Sequence, residues 1–328
     1  MAVLICGGAG YIGSHTAICL MGHGRETVVY DSLVKGHRKA VKGGNFMQGD
    51  IRDRQRLSEA FRKYEIEAVI NFAAYIEAGE SVRDPLKYYE NNVCGCVSLL
   101  AAMKEAGVSL MVFSSSAAIY GDPCNVPVTE EERMLPVSPY GETKAAVEKM
   151  LSWADRAYGI KHTALRYFNA AGAHESGELG EDHDPETHLI PMVLLNALGL
   201  KDGLRIFGND YNTADGTCER DYVHVSDLAE AHYLALLRLE SGRESSAYNL
   251  GNENAFSNMQ ILRAAEEVTG SRIPYTVTGR REGDPGILVA SSEKAKRELG
   301  WKPIYTDINE IIAAAWKWHK GHPEGYED

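Results

Sequence analysis

Ala2-Val3-Leu4-Ile5-Cys6-Gly7-Gly8-Ala9-Gly10-Tyr11-Ile12-Gly13 decides the fold. Five apolar residues in a row predict a strand buried on both faces. Gly7, Gly10 and Gly13 follow at GxxGxxG spacing, and Tyr11–Met21 predicts a helix. Glycine lets a backbone turn tightly and approach a pyrophosphate, while a helix N-terminus offers free N–H groups and a positive dipole end. The order strand, glycine turn, helix separates a dinucleotide site from an ordinary tight turn.

The second strand, Thr27–Tyr30, ends in Asp31. A carboxylate about 20 residues after the glycines can hydrogen-bond an adenosine ribose and repel a 2′-phosphate, which favours NAD over NADP. Lys35, Arg38 and Lys39 lie nearby and soften that exclusion. Asp50 and Ile51 follow a third strand, Asn45–Gln48, where a side chain can cap the adenine edge. The alternation continues with a helix over Arg52–Tyr64, a strand over Ala68–Asn71 and a helix over Pro85–Ala106. A strand at Leu110–Ser114, a helix at Pro139–Tyr158 and a strand at His162–Tyr167 complete it. Apolar strands separated by helical lengths predict an α/β fold: a Rossmann-type, doubly wound parallel sheet in an NAD-binding domain over residues 1–169.

Beyond Asn169 the rhythm breaks. Ala170–His188 is rich in Gly, Glu, Asp and His and reads as a long loop of the kind that usually serves function. A helix at Pro191–Leu198, a strand at Arg220–His224, a helix at Val225–Leu239, a polar turn at Glu282–Pro285 and a helix at Ile308–Lys320 follow. Residues 170–328 are therefore expected to form mainly a smaller substrate-binding α/β lobe, with a segment near 218–240 returning to the first domain.

The 328 residues carry 34 basic against 46 acidic side chains, a net charge of −12. That balance argues against a chain whose task is neutralising nucleic-acid phosphates. With 44% hydrophobic and 24% charged residues the chain has ample apolar surface to bury, which disfavours disorder. No apolar run approaches the roughly 18 residues of a bilayer span, and no basic leader or cleavage pattern precedes the first strand. A cytoplasmic protein without membrane association is expected. The six cysteines fit buried free thiols, since Cys6 and Cys19 fall in apolar segments and Cys94-Gly95-Cys96 has neither zinc-ribbon nor CxxC spacing. The histidines form no HExxH, and no protein-bound catalytic metal is expected.

Pro139-Tyr140-Gly141-Glu142-Thr143-Lys144 places Tyr140 and Lys144 four apart, on one face of a helix that Pro139 can start. A phenol ordinarily titrates near 10, and a nearby ammonium favours its phenolate form, bringing it toward neutral pH as a base. Ser114-Ser115-Ser116 follows a strand, so its hydroxyls emerge at the carboxyl edge of the sheet, where open α/β folds bind ligands.

Together these residues resemble the extended, sugar-nucleotide branch of the short-chain dehydrogenase/reductase superfamily. The resemblance tightens to the UDP-glucose 4-epimerase family through Asn71-Phe72-Ala73-Ala74, Gly79-Glu80-Ser81-Val82, Tyr88-Tyr89-Glu90-Asn91-Asn92-Val93 and Arg166-Tyr167-Phe168-Asn169. Phe207-Gly208-Asn209-Asp210-Tyr211, Asp215-Gly216-Thr217, Arg220-Asp221-Tyr222-Val223-His224-Val225 and Arg280-Arg281-Glu282-Gly283-Asp284 extend it. It implies interconversion of UDP-galactose and UDP-glucose in galactose metabolism, by transient oxidation at sugar C4 with bound NAD, rotation of the keto sugar and return of the hydride. It also implies a homodimer. By motif position Tyr140 is the base, Ser116 its relay and Lys144 the residue that holds the nicotinamide ribose and biases Tyr140 toward phenolate. Gly7, Gly10, Tyr11, Ile12, Gly13, Asp31, Asp50, Ile51, Phe72, Ala73, Ala74, Asn91, Ser114 and Tyr167 complete the implied cofactor site. Asn169, Leu189, Phe207, Tyr222 and Asp284 fall at substrate positions, with Arg220 and Arg281 on the diphosphate.

Four positions depart from well-known members. Ile76 stands where some place a lysine, His188 where some have asparagine, and Ser32 where asparagine is common. Leu288, of intermediate bulk, occupies the position that implies admission or exclusion of N-acetylated sugars. Ala117-Ala118 lacks the acid pair a 4,6-dehydratase needs. Two alternatives stay open: a different NAD-dependent nucleotide-sugar enzyme (a UDP-N-acetylglucosamine or UDP-glucuronate epimerase, or a decarboxylase) and an NAD-sensing binding protein.

Overall fold

The computed structural model describes residues 2–281 and 285–327. Thirteen strands are described: β1 (Ala2–Cys6), β2 (Glu26–Asp31), β3 (Asn45–Gln48), β4 (Ile66–Asn71), β5 (Leu110–Ser114), β6 (Lys161–Tyr167), β7 (Asn169–Ala171), β8 (Arg205–Phe207), β9 (Glu219–His224), β10 (Ser246–Leu250), β11 (Ala255–Ser257), β12 (Thr276–Thr278) and β13 (Ile287–Leu288). The helices are α1 (Tyr11–Gly22), α2 (Arg54–Tyr64), α3 (Ala78–Arg83), α4 (Pro85–Tyr88), α5 (Gly95–Ala106), α6 (Pro139–Tyr158), α7 (Leu189–Ala197), α8 (Val225–Glu240), α9 (Asn258–Thr269), α10 (Glu293–Leu299) and α11 (Ile308–Gly321).

Seven strands make the central sheet in the order β10-β6-β5-β4-β1-β2-β3, all parallel. This is the Rossmann-like, doubly wound α/β class. Because successive strand residues point to opposite faces, Leu4 and Cys6 pack with Leu57, Leu99 and Leu151 of α2, α5 and α6. Val3 and Ile5 pack instead with Leu20 of α1 and Leu228 and Ala235 of α8. The order in which successive strands are added reverses between β1 and β4, and the crevice outside such a switch point is where this architecture receives ligands. The sheet's last strand, β10, comes from a stretch that sequence patterning attaches to the substrate lobe.

The helix expected over Pro85–Ala106 is broken. Tyr89–Cys94 forms a π-helical turn between α4 and α5. Asn92 explains it: its buried amide accepts from the Tyr75 N–H (2.8 Å), donates to the Tyr75 carbonyl (3.0 Å) and donates to Thr143 Oγ1 (3.1 Å). Holding that side chain inward swells the helix by one residue, a device frequent at functional sites. Gly95 completes the fit, since a Cβ there would lie 2.5 Å from Ile51 Cγ2.

The smaller lobe joins β11, β9, β13 and β7 around β9, with β8 and β12 pairing separately. Its core packs Ile190, Val193 and Leu194 of α7 against Ile261 and Ala265 of α9 and Ile311 and Ile312 of α11. Of the expected loop 170–188, Ala170 and Ala171 belong to β7 and the rest is irregular. Among the described residues no helix is long and apolar enough to cross a membrane.

Candidate active site

A cleft of about 340 Å³ opens at the switch point. The glycine turn forms its floor because nothing larger fits. A Cβ on Gly7, whose φ is +75°, would lie 2.6 Å from the Ala73 nitrogen, and one on Gly13 would lie 2.3 Å from the Gly7 carbonyl oxygen. The Phe72 N–H donates to the Cys6 carbonyl (2.8 Å), which brings the turn after β4 against the turn after β1.

Asp31, at the end of β2, is buried, and burial raises its carboxyl above the usual range. Its two oxygens accept from the Ala9 N–H (2.9 Å) and the Leu33 N–H (2.8 Å). The carboxylate is thereby locked beside the glycine turn. Asp50 also lines the cleft, but Arg52 grips it through two hydrogen bonds, Nε to Oδ1 (2.9 Å) and Nη2 to Oδ2 (2.6 Å), and that grip holds its carboxyl low.

Ser138 caps α6 by accepting from the Gly141 N–H (3.2 Å), and Pro139 fills the first turn. That start places Tyr140 and Lys144 over the cleft with Ser116. The Tyr140 N–H donates to Ser81 Oγ (3.1 Å) and its carbonyl accepts from Thr143 Oγ1 (2.7 Å), fixing the first turn. Lys144 Nζ donates to the Ser114 carbonyl (2.7 Å) and lies 5.8 Å from the centre of the Tyr140 ring. Burial pulls its ammonium down to about 8, against opposing pulls from Cys96 and Glu148. Ser114 Oγ and Tyr167 OH share a hydrogen bond.

The Tyr140 phenol is itself deeply buried beside Lys144. Burial raises the Tyr140 phenol, a hydrogen bond with Ser116 lowers it in part, and the charge of Glu77 raises it further. Burial of the phenol is the largest of these influences, and the Lys144 ammonium is engaged by the Ser114 carbonyl.

All the residues that sequence reasoning places on the cofactor line this one cleft: Gly7, Gly10, Tyr11, Ile12, Gly13, Asp31, Asp50, Ile51, Phe72, Ala73, Ala74, Asn91, Ser114, Tyr140, Lys144 and Tyr167. Of the described residues of the substrate set, Ser116, Tyr140 and Asn169 join them. Asn169 donates to the Asp221 carbonyl (3.1 Å) and pairs with Tyr222, which is buried in the smaller lobe. Arg220 stands on β9 opposite Leu288 and donates to the Glu219 carbonyl (2.8 Å). Phe207 ends β8, and the Arg281 guanidinium lies 4.1 Å over its ring. Leu189 starts α7. Asp284 lies outside the described residues.

The structure adds Val34, Lys35, Gly36, Tyr75, Ile76, Glu77, Glu181, His183 and His188 to the cleft wall. Lys35 Nζ lies 3.7 Å from Glu77 Oε1 and also donates to the Asp184 carbonyl. A lone lysine beyond a strand end carries no pattern, so sequence spacing could not select it.

A profile of the NAD dependent epimerase/dehydratase family matches residues 3–251. The UDP-glucose 4-epimerase of Lacticaseibacillus casei is 54% identical over 329 residues, covering 100% of this chain and 99% of the relative. The chain belongs to the UDP-glucose 4-epimerase family. A crystal structure of a UDP-glucose 4-epimerase superposes with a TM-score of 0.98 at 51% identity, with 100% of both chains covered. The Bifidobacterium longum UDP-glucose 4-epimerase, in complex with NAD+ and UDP, superposes with a TM-score of 0.94 at 36% identity, covering 99% of this chain and 100% of that one. The enzyme is thus an isomerase of an NAD-dependent family, and its own residues fit the cofactor: a glycine cradle with no room for a Cβ, and a fixed carboxylate beside it.

Proposed function

We propose that this epimerase interconverts UDP-galactose and UDP-glucose with Tyr140 as the acid–base group. The observation that carries the reading is convergence. Tyr140, Lys144 and Ser116 meet the glycine turn and Asp31 in one cleft, although they come from four separate segments of chain. NAD, when bound, takes up the hydrogen removed from sugar C4 and gives it back to the opposite face of the ring.

The chain's own residues do the rest. Tyr140 Oη receives the proton of the sugar 4-hydroxyl and later returns it. Ser116 holds the phenol by a hydrogen bond that favours its ionised form and can pass the proton on. Lys144 stands close enough to both Tyr140 and the Ser114 carbonyl to hold a ribose hydroxyl, and its ammonium is poised near neutral pH. Asp31 accepts from the adenosine ribose. Arg220, on β9, and Arg281, beyond the end of β12, grip the diphosphate, while Asn169, Leu189, Phe207, Tyr222 and Asp284 shape the substrate side. Residues 1–169 with the segment near 218–240 hold the cofactor, and the remainder holds the nucleotide while the sugar turns. A firm diphosphate grip with a loose sugar pocket is what inversion at C4 requires.

We place the enzyme in the cytoplasm, in galactose metabolism, as a homodimer. Leu86 of α4, Val97 of α5 and Trp153 of α6 are exposed apolar side chains on neighbouring helices, a surface suited to a second copy. Sedimentation should show a dimer that Trp153→Glu weakens. Incubation with UDP-galactose, UDP-N-acetylgalactosamine and UDP-glucuronate in turn tests the substrate: conversion of the first to UDP-glucose is expected, and turnover of the glucuronate alone would overturn the reading. Leu288, paired with Arg220, makes the N-acetylated sugar the sharper comparison.

A further inference from the structure

Gly180-Glu181-Asp182-His183-Asp184-Pro185-Glu186-Thr187-His188 carries a constellation that the epimerase chemistry does not use. Glu181 and Glu186 are buried, 5% and 7% exposed. His188 Nδ1 lies 2.9 Å from Glu181 Oε1 and 2.9 Å from Glu186 Oε1. His183 Nδ1 lies 3.1 Å from Glu181 Oε1 and 3.6 Å from Glu186 Oε2. One donor atom from each of the four residues falls within 4.8 Å of all the others.

Ion-pair distances reach both histidines, and His183 adds a further feature. Its Nδ1 is buried and makes no hydrogen bond of acceptable geometry, despite two carboxylates within reach. With both carboxylates and the His188 ring nitrogen close by, this atom is a donor that an ion shared by the four groups would satisfy. Tetrahedral zinc with ligands at about 2.1 Å sets ligand atoms about 3.4 Å apart, close to the separations seen here. Two imidazole nitrogens with two carboxylates favour zinc and its transition-metal neighbours over magnesium or calcium, which prefer all-oxygen shells.

The position is equally specific. Glu181, His183 and His188 line the cofactor cleft, and the Tyr11 ring of the glycine turn meets His183 edge-on with centroids 6.4 Å apart. On the other side Lys35 donates to the Asp184 carbonyl, and His37 Nε2 stands 3.5 Å from Asp182 Oδ2. The loop thus bridges the glycine turn, the segment after β2 and the start of α7.

We propose that Glu181, His183, Glu186 and His188 bind one divalent transition-metal ion, zinc by its donor set, which pins this loop as a wall of the cofactor cleft. The role is positional; the ion takes no part in proton or hydride transfer. The proposal does not rest on the epimerase reading, because its measurements do not use turnover. A second cluster among the described residues, Cys19, His23 and Glu230, offers three donors at the surface between α1 and α8 and is the competing location.

The test uses the full chain, made without a histidine tag, stripped with chelator and titrated with zinc chloride. About one equivalent should remain after dialysis, and zinc should raise the melting temperature by stabilising the folded state. Glu186→Gln and His183→Gln should each weaken zinc binding about tenfold or more and abolish the thermal shift. Cobalt substitution of the wild-type chain reports the ligands without any variant, and a spectrum lacking a thiolate-to-cobalt charge-transfer band is expected. A chain that stays metal-free in micromolar zinc, an affinity unchanged in a folded Glu186→Gln, or a thiolate band placing the ion at Cys19 would each overturn the proposal.

Discussion

The two halves of the site are built on different plans. On the cofactor side five positions sit at or just past the end of a parallel strand. Gly7 follows β1, Asp31 ends β2, Asp50 follows β3, Phe72 follows β4 and Ser114 ends β5. Pairing one strand with the next therefore brings them all to one edge. On the substrate side Arg220, Phe207 and Arg281 belong to short strands and turns in two separate small sheets, whose relative placement depends on the lobe's core. The first plan makes a rigid frame in which a methyl group is too much. The second sets its charged positions on separate short elements and turns.

The largest separation should come from Tyr140→Phe, which leaves the frame intact and removes the proton acceptor. Turnover should fall about 10²–10⁴-fold while bound NAD and UDP-sugar affinity persist, as single-turnover kinetics and equilibrium dialysis can measure. Loss of cofactor together with turnover would mean that Tyr140 is part of the frame instead. Next comes the frame itself. Arg166 of β6 and Glu148 of α6 form a buried two-pronged pair, with Nη2 to Oε2 at 2.6 Å and Nε to Oε1 at 3.0 Å. Arg166→Met strands the carboxylate and should cost about 3–5 kcal/mol in urea unfolding.

Arg281→Ala probes the looser side. Loss of one charge-assisted contact should weaken UDP-sugar binding about ten- to hundredfold and leave NAD binding nearly unchanged. The reverse ranking would erase the division between the halves. The smallest effect is a pH dependence. Lys144 is held at about 8 in the folded chain, below its ordinary 10.5, so from about 8 upward the unfolded chain binds the extra proton. Stability should therefore gain a contribution as pH rises from 8 toward 10.5. Lys144→Met should lack that rise when unfolding curves at the two ends of the window are compared.

The same contrast explains what could be read in the sequence. The glycine spacing, the strand-end Asp31 and the Tyr140/Lys144 interval are local patterns, and local patterns place residues once strands stack in parallel. Other features needed contacts across the chain. The π-helical turn at Tyr89–Cys94 depends on Asn92 reaching Tyr75 and Thr143, so apolar periodicity alone predicts one unbroken helix there. The hydrogen bond of the Lys144 ammonium goes to a carbonyl 30 residues away, which an interval of four does not reveal. The helix α9 escaped attention although its capping box, Ser257 with Gln260, is a legible start signal. The Glu/His cluster at 181–188 was hidden because its loop has no periodicity to say which side chains turn inward.

The central claim is that one cleft both removes and restores the hydrogen at sugar C4. It is tested most directly with UDP-galactose carrying deuterium at C4. The account predicts UDP-glucose with the label retained at C4 and none in the solvent, because the hydrogen never leaves the cleft. Product whose C4 deuterium has washed out into water would contradict it.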